Sequence, residues 1–420
     1  MKMKVVHCSN SISNSSAVTR LHRALLKRGD DSKILTLHNN DCIEQTKEFS
    51  ASALKEKYHH YNEAIENYLM QKRYDIPADI PFCFGRVGYD ITADEWIKEA
   101  DIIHLHWVSG NFLSIKAIHK LLMLNKPVVW TLHDSWTLTG GCHVKLGCEY
   151  YKEMCGTCPV LNSTKKRDRT YYVMENKKQL LRNPNLTLIA PSNWMLNNIK
   201  NSLIFSQVNA YRIPNTLDTS VFREYTQNEI ERALNYKRDN KIHILFGAVD
   251  STTTSYKGFK YLKETLGILY REYPQTACRM VLHVFGAEEI KDGCLEQFEI
   301  KCWGMIRDAR TLAYIYNLAD AYVFPSVDDN LPSTVMESLA CATPVACFRT
   351  GGVPDMVQHK FNGYIAIQRD VRDLLHGIMW ILENNYDNIL GKNGLTYVKK
   401  HYAEDIIARA HEELYDKVCV

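Results

Sequence analysis

The first half of the sequence alternates short apolar segments with amphipathic helical segments. The apolar segments are rich in Val, Ile and Leu and are too short to be whole helices. They lie at 4–8, 33–37, 101–107, 127–133, 186–192 and 210–215. The segments between them, such as 17–28, place apolar residues along one stripe of a helix. Because strands that alternate with helices pair in parallel, this half predicts one parallel sheet covered by helices.

A second series of the same kind follows after the polar stretch 215–240, which we interpret as a linker. Its apolar segments lie at 242–247, 280–285, 300–303, 321–324 and 345–348. The chain has 420 residues, more than the roughly 250 to 300 at which single cores stop growing. The sequence therefore predicts an α/β protein with two Rossmann-like units in tandem. We predict domains at 1–210 and 211–400, followed by an amphipathic helix within 401–420.

Composition excludes several classes of protein. A formal net charge of +3 is too small to indicate a nucleic-acid partner. The sequence contains no run of about 18 apolar residues, and residues 1–9 lack the apolar core of a signal peptide. We therefore expect a cytoplasmic protein, and we expect its 13 cysteines to be reduced thiols.

Two carboxylates flank a strand-to-helix junction in the second series. Asp329 lies on the loop after the apolar segment 321–324, and Glu337 lies one turn into the helix that follows. Pro332 is typical of a first helical turn, where unpaired backbone N–H groups can bind a phosphate. The glycines of Thr350-Gly-Gly-Val-Pro, after the next strand, permit close backbone approach to a ligand.

The run Asp329-Asn-Leu-Pro-Ser-Thr-Val-Met-Glu337 resembles the glutamate-x7-glutamate motif of family 4 retaining glycosyltransferases, with Asp as the first acid. The resemblance extends over nearly the whole chain. It implies the GT-B fold, in which two Rossmann-like domains face each other across a cleft. It also implies that Glu337 holds the ribose hydroxyls of a nucleotide and that Asp329 contacts the donor sugar. The predicted donor site further includes Asn330, Leu331, Thr334 and Gly286.

Lys257 follows the strand 242–247 and a polar loop. Open α/β sheets bind ligands beyond the carboxyl ends of their strands, so Lys257 stands where a diphosphate needs a cation. The resemblance implies the same role, although Ser251 replaces the arginine that the family usually has six residues earlier. The alternative is an ordinary surface lysine.

His133 ends the strand segment 127–133 and matches the histidine that faces the donor sugar in the family. His104 and His106 alternate in one predicted strand, share a face and compete for that role. Core histidines remain the alternative for all three. Ser15 and Ser16, in the loop where the family commonly has glycines, are candidates for the acceptor side together with His106.

Four cysteines cluster after His133. Five residues separate Cys142 from Cys148, and two separate Cys155 from Cys158. This spacing suits a closed tetrahedral site, with structural zinc as the default metal. Free thiols and two disulfides are the alternatives. Similar cysteines occur in a subgroup that resembles the colanic acid transferases.

The resemblance implies a retaining glycosyltransferase like those of colanic acid, O-antigen and capsule synthesis. It would move a hexose from a UDP- or GDP-type nucleotide-diphosphate sugar to a lipid-linked glycan acceptor, with no cofactor for catalysis.

The insert 40–95 is expected to shape the acceptor side. The basic run 165–178 is either a solvated face or a peripheral contact with the inner face of the plasma membrane. The alternative functions are a nucleotide-sugar 2-epimerase and a zinc-stabilised, non-catalytic binding protein.

Overall fold

The computed structural model describes residues 3–74, 76–247 and 252–419, and it divides into two compact units. Unit 1 takes the chain up to Pro214 and again from Ile407, whereas unit 2 runs from Asn215 to Ile406. The sequence placed the boundary after residue 210. Each unit is an α/β fold built on one parallel sheet.

Unit 1 contains a seven-stranded sheet with the order β3-β2-β1-β4-β5-β6-β7, and its strands pair in parallel. The strands are β1 (Lys4–Ile12), β2 (Asp31–Asn39), β3 (Thr46–Glu48), β4 (Ile102–Leu105), β5 (Val128–Thr131), β6 (Leu186–Ala190) and β7 (Ala210–Arg212). The helices are α1 (Ala17–Arg28), α2 (Ala53–Tyr68), α3 (Glu95–Glu99), α4 (Ile115–Leu122), α5 (Arg169–Leu180) and α6 (Asn193–Lys200).

Unit 2 contains a six-stranded parallel sheet with the order β10-β9-β8-β11-β12-β13. Its strands are β8 (Ile242–Gly247), β9 (Met280–Phe285), β10 (Glu299–Cys302), β11 (Ala321–Phe324), β12 (Val345–Phe348) and β13 (Gly363–Ala366). Its helices are α7 (Gln227–Leu234), α8 (Phe259–Glu272), α9 (Pro274–Ala277), α10 (Ala309–Leu318), α11 (Ser333–Ala340), α12 (Val371–Asn384) and α13 (Ile389–His401), and α14 (Glu404–Val418) completes the chain.

The central strands are apolar because helices cover both faces of each sheet. Every residue of β4, β5, β11 and β12 is buried. The helices begin where the sequence supplies capping side chains: the hydroxyls of Ser16, Ser114 and Ser192 accept hydrogen bonds from the first turns of α1, α4 and α6.

The last helix packs largely with unit 1. Ile407, Leu414 and Tyr415 share an apolar cluster with Val5 and Leu21 of the first sheet and helix. Outside that cluster, Arg28 on α1 donates to both carboxylate oxygens of Glu412 on α14, at 2.6 and 2.9 Å. The apolar face of the C-terminal helix therefore packs in the same hydrophobic cluster as the first strand and the first helix of the chain.

Several predicted strands end earlier than the sequence suggested. β4 ends at Leu105 and β5 at Thr131, so His106 and His133 lie just beyond their strands. The expectation that His104 and His106 alternate within one strand is therefore wrong. The short edge strand β3, inside the polar insert, has too few apolar residues to be seen in the sequence. No helix in the described residues is long and apolar enough to cross a membrane.

Each sheet has one place where the strand order reverses. In unit 1 it lies between β1 and β4, and in unit 2 between β8 and β11. Helices that follow neighbouring strands at such a point leave the sheet on opposite faces, which opens a crevice at the carboxyl ends of the strands. Both predicted groups of polar residues lie at these two positions.

Candidate active site

Two loops of unit 2 are fastened together at the edge where β8 and β11 end. Gly258 adopts a φ of +82°, and a Cβ atom there would lie 1.9 Å from the carbonyl oxygen of Pro325. The N–H of Val327 and the hydroxyl of Ser326 both donate to the carbonyl oxygen of Tyr256, at 2.9 and 3.0 Å. Glycine is required at 258 for this approach, and the approach brings the two loops into register.

This arrangement joins Lys257 to Asp329. The Lys257 Nζ lies 2.9 Å from Asp329 Oδ2, and the two side chains are 23% and 17% exposed. Burial lowers the pKa of Lys257, but the charge of Asp329 and their hydrogen bond outweigh burial and raise this pKa above its ordinary value. Lys257 is therefore a fixed positive charge at the crevice. Ser251, which replaces the family arginine, lies outside the described residues.

Glu337 lies on α11, which begins directly after Pro332. Its side chain is 3% exposed, and the hydroxyl of Tyr316 donates to Glu337 Oε2 at 3.2 Å. Burial, and then the charge of Glu337, raise the pKa of Tyr316, so its hydroxyl stays protonated and remains a donor. Sequence reasoning missed Tyr316, because nothing in the pattern of α10 shows which of its tyrosines reaches α11.

The predicted neighbours of the two acids have different surroundings. Asn330 and Leu331 are 7% and 5% exposed and pack within the loop between the acids. Thr334, in the first turn of α11, is hydrogen-bonded to Tyr322, whose hydroxyl donates to the carbonyl oxygen of Gly247 at 2.8 Å. The start of α11 is thereby tied to the end of β8.

The glycines after β12 make a close approach to the protein itself. Gly351 has a φ of +46°, and a Cβ atom there would lie 1.6 Å from the carbonyl oxygen of Asp329. The N–H of Gly352 donates to the same oxygen at 3.3 Å. This contact positions Asp329, and the approach of these glycines to a ligand stays a prediction.

Gly286 follows β9, the strand beside β8, and its N–H donates to the carbonyl oxygen of Gly304 at 2.8 Å. It has a φ of +82°. It lies at the same edge of the sheet as Lys257 and Asp329, with a backbone conformation that favours glycine.

At the corresponding place in unit 1, three histidines form a chain of hydrogen bonds. His7 Nδ1 lies 2.9 Å from His106 Nε2, and His106 Nδ1 lies 3.0 Å from His133 Nε2. Burial lowers the pKa of His7 and His106 well below the ordinary value, and it lowers the pKa of His133 to about 4. All three rings are neutral at pH 7, so each offers one donor and one acceptor.

His106 and His133 are therefore linked rather than competing. His104 has a different environment, because Tyr415 and Thr131 hydroxyls lie 2.7 and 2.8 Å from its two ring nitrogens. It is a core histidine that joins α14 to β5. Sequence reasoning missed His7, although the parallel register that pairs it with His104 places it beside the other rings.

The two serine candidates differ. Ser16 is the N-cap of α1, accepting from the N–H of Thr19, and its hydroxyl donates to the carbonyl oxygen of Ser13 at 3.0 Å. Ser15 is exposed, and its hydroxyl lies 3.3 Å from that of Ser13. The structure gives Ser16 a capping role and leaves Ser15 accessible.

The four clustered cysteines line one cavity of about 20 Å³, and all thirteen cysteines of the chain are free thiols. Cys142 and Cys158 are hydrogen-bonded to each other. The two-disulfide alternative therefore does not describe this structure. In the described residues, the groups of three or more ligand atoms within 4.8 Å of one another are His7, His104 and His106, and His59, His60 and Glu63.

Only part of the predicted basic run is exposed to solvent. Lys165, Lys166 and Arg167 are exposed, but Lys177 is fully buried. Its Nζ donates to the carbonyl oxygens of Trp136 and Thr139, and burial lowers its pKa to about 7. Assigning Lys177 to a solvated or membrane-facing patch is wrong, because α5 turns this residue toward the loop after β5.

Two family profiles match the sequence. The family described as Glycosyltransferase Family 4 matches residues 14–221, and the one described as Glycosyl transferases group 1 matches residues 229–396. The chain belongs to the family 4 glycosyltransferases. This glycosyltransferase is 28% identical to a protein of Escherichia coli named as a colanic acid biosynthesis glycosyl transferase, over 68% of this chain and 67% of the relative. It is 24% identical to an uncharacterized glycosyltransferase of Haemophilus influenzae, over 77% of each chain.

Solved structures agree with the fold of this glycosyltransferase. Sucrose-phosphate synthase from Thermosynechococcus elongatus superposes with a TM-score of 0.66 at 18% identity, over 99% of both chains. Anabaena HepE in complex with UDP-glucose superposes with a TM-score of 0.64 at 13% identity, over 99% of this chain and 100% of the other. The predicted GT-B fold is confirmed.

Proposed function

We propose that this glycosyltransferase is a retaining enzyme that moves a hexose from a nucleoside-diphosphate sugar to a lipid-linked bacterial surface glycan. The observation that carries the proposal is the group of Lys257, Asp329 and Glu337 at the strand-order reversal of unit 2. It offers a cation and two carboxylates beside the start of a helix. HepE, which has the same fold, binds UDP and UDP-glucose, which favours a UDP- or GDP-type donor here.

Each group has a distinct role in this proposal. Lys257 and the first backbone N–H groups of α11 stabilise the charge that develops on the leaving diphosphate, with no further cofactor. Glu337, held by Tyr316, accepts hydrogen bonds from the ribose hydroxyls. Asp329 contacts the donor sugar, and the close packing of Gly351 fixes its backbone.

Lys257 is paired with Asp329, and this ion pair orients both side chains. A donor diphosphate would compete with this carboxylate for Lys257, which would free Asp329 to contact the sugar. In the transfer, the bond between the anomeric carbon and the diphosphate oxygen breaks, the acceptor oxygen bonds to that carbon, and its proton leaves with the diphosphate.

We propose that His133 hydrogen-bonds a sugar hydroxyl as a neutral imidazole. Its low pKa keeps it uncharged at pH 7, so it can hydrogen-bond a sugar hydroxyl without adding a charge near the leaving group.

The acceptor is proposed to enter a cavity of about 1000 Å³ in unit 1, which residues of the insert 40–95 help to line. Four cations line this cavity: Lys55, Arg86, Lys116 and Arg169. Of its three acids, Asp90 and Asp94 are already paired with lysines at 2.7 and 2.9 Å, and Glu66 is buried, which raises the pKa of its carboxyl group. The excess of positive charge suits the phosphates of a lipid-linked glycan, and the aromatic side chains around it suit sugar rings. The exposed Lys165, Lys166 and Arg167 would make the peripheral contact with anionic lipid.

A ligand screen followed by a transfer assay tests the proposal. Purified protein is heated with UDP, GDP, ADP and CMP and with their sugars, and the ligand that binds the native state raises the Tm. That donor is then supplied with a lipid extract, and the anomeric configuration of the product is read by NMR. Retained configuration in a lipid-linked product is expected. Isomerised donor without any transfer would point to the epimerase, and the absence of any nucleotide binding would point to a non-catalytic protein.

A further inference from the structure

The segment from Thr139 to Cys158 has little regular structure of its own, with one short 3₁₀ turn at Tyr150–Lys152. Leu146 and Thr157 adopt positive φ angles of 51° and 46°, which side chains other than glycine rarely favour. A long irregular segment inside a compact domain needs something that holds it. Its buried side chains include Tyr151, His143, Lys145 and Cys158, and the other three clustered cysteines are partly exposed.

All four cysteines of this segment line the same small cavity. The backbone around them is attached to residues outside the segment: the N–H of His143 donates to the carbonyl oxygen of Pro81 at 3.2 Å, and the N–H of Cys158 donates to Asp168 Oδ2 at 2.8 Å. Asp168 is also the N-cap of α5. The two ends of the cysteine segment are thus attached to separate parts of unit 1, and the thiols meet between them.

We propose that Cys142, Cys148, Cys155 and Cys158 bind one zinc ion, and that this ion fixes His143 against Asp134, next to His133. Four thiolates complete a tetrahedral shell, which is the form of a structural zinc site. Zinc–sulfur bonds of about 2.3 Å require the four sulfurs to lie closer together than they do here, since no three of them lie within 4.8 Å of one another. All four cysteines line the cavity of about 20 Å³.

The link to the sugar site runs through the residue after the first cysteine. His143 Nδ1 lies 2.6 Å from Asp134 Oδ2, and the N–H of Ser135 donates to the carbonyl oxygen of His143 at 3.0 Å. Cys142 also forms a β-bridge with Phe82. An ion at Cys142 therefore restrains His143, and His143 restrains the turn that carries His133. His143 is a positioning residue, and its role rests on the proposed function, whereas the zinc itself does not.

Metal analysis of the full chain tests the ion. Protein purified without chelator should contain about one zinc per chain, and X-ray absorption should give four sulfur neighbours at about 2.3 Å. The double variant Cys155→Ser, Cys158→Ser should lose the zinc, whereas the matched control Cys278→Ser, Cys294→Ser, which changes two exposed cysteines of unit 2, should keep it. Zinc-free protein whose four clustered thiols react at once with a thiol reagent would overturn the proposal. If the double variant does not fold, cobalt supplied to wild-type protein during refolding gives the same answer, because tetrahedral thiolate coordination has its own absorption bands.

A second measurement tests the positioning role. His143→Gln should keep the zinc and lower kcat several-fold, with little change in the KM for donor. Removal of zinc from the wild type should lower kcat by a similar factor, and removal from His143→Gln should add little, because both changes act through the same contact. If removal of zinc lowered kcat by the same factor in the wild type and in His143→Gln, the link to His133 would be refuted. The zinc site itself would not be affected by that result. A wild-type enzyme with zinc but no transfer activity would refute the proposed function instead.

Discussion

The two strand-order reversals have the same topology and opposite chemistry. In unit 2, between β8 and β11, the crevice holds an ion pair whose members are 23% and 17% exposed. In unit 1, between β1 and β4, the corresponding position holds His7 and His106, which are 0% and 4% exposed and uncharged. One fold thus presents fixed charge at one crevice and neutral hydrogen-bonding groups at the other.

The difference follows from what each crevice can bury. A charged pair keeps its charges when some solvent remains, because full desolvation costs more than the pairing returns. Imidazoles can be buried completely by giving up their protons, and they still donate and accept hydrogen bonds. Charge suits a diphosphate, and neutral polar groups suit the hydroxyls of a sugar. The chemical difference between the two positions, an ion pair in unit 2 and neutral imidazoles in unit 1, therefore follows from how deeply each is buried.

The largest effect that follows from this contrast is loss of stability in acid. Burial lowers the pKa of His7, His104 and His106 well below 6.5 and that of His133 and His411 to about 4. Between pH 6.5 and those values the unfolded state binds protons that the folded state does not, so the free energy of unfolding falls as pH falls. Each such histidine costs about 1.4 kcal/mol per pH unit in this range. The Tm should drop steeply between pH 6.5 and 5.

Tryptophan fluorescence identifies the half that unfolds first, because five of the seven tryptophans lie in unit 1. His411→Asn removes one titrating ring and can keep the Nδ1 contact with the carbonyl oxygen of Ile407, so its Tm should fall less steeply with pH. A Tm that does not change from pH 7 to pH 5 would contradict the buried, neutral state of the rings.

The next largest effect is expected at Lys257. Loss of one electrostatic stabiliser typically lowers turnover by on the order of a hundred-fold, and Lys257→Ala should do so. Asp329→Asn should lower turnover with little change in nucleotide affinity, because the proposed contact of Asp329 is with the donor sugar. The double variant should lose less than the product of the two single losses, because each residue orients the other at 2.9 Å. Steady-state kinetics of the four proteins provides the test, and independent losses would show that the pair has no functional connection.

Glu337→Gln should weaken nucleotide binding by roughly ten- to a hundred-fold, since a hydrogen bond to a charged group contributes about 1.5 to 3 kcal/mol. Tyr316→Phe is the matched variant, because it removes the hydroxyl that holds Glu337 at 3.2 Å and leaves the carboxylate in place. Its effect on affinity, measured by calorimetry, should be smaller. Unchanged affinity in Glu337→Gln would place the ribose elsewhere.

The sequence predicted most of the fold because each apolar segment is a strand that helices cover on both sides. It also predicted that Lys257, Asp329 and Gly286 lie at one edge of the second sheet, because the carboxyl ends of parallel strands lie on the same side of a sheet. It could not identify Tyr316 or His7, whose roles depend on contacts between distant segments. It misassigned Lys177, because a lysine in a basic run looks solvated until the helix face that carries it is known. The close contact of Gly351 with the backbone of Asp329 likewise depends on two separate segments and could not be predicted.

The smallest effect concerns the chain of imidazoles. His106 is bonded to His133 through Nδ1 and to His7 through Nε2. Asparagine places its amide near the position of Nδ1 and glutamine near that of Nε2, so His106→Asn can keep the contact with His133 while His106→Gln keeps the contact with His7. A net hydrogen bond contributes about 0.5 to 1.5 kcal/mol, or roughly two- to ten-fold. If the contact orients His133 toward the sugar, His106→Gln should lower kcat by a factor in that range, and His106→Asn should retain most of it. Thermal stability serves as the control, because either substitution can lower it. If the two variants had equal stability and equal kcat, the hydrogen-bonded histidines would have only a structural role in the core of unit 1.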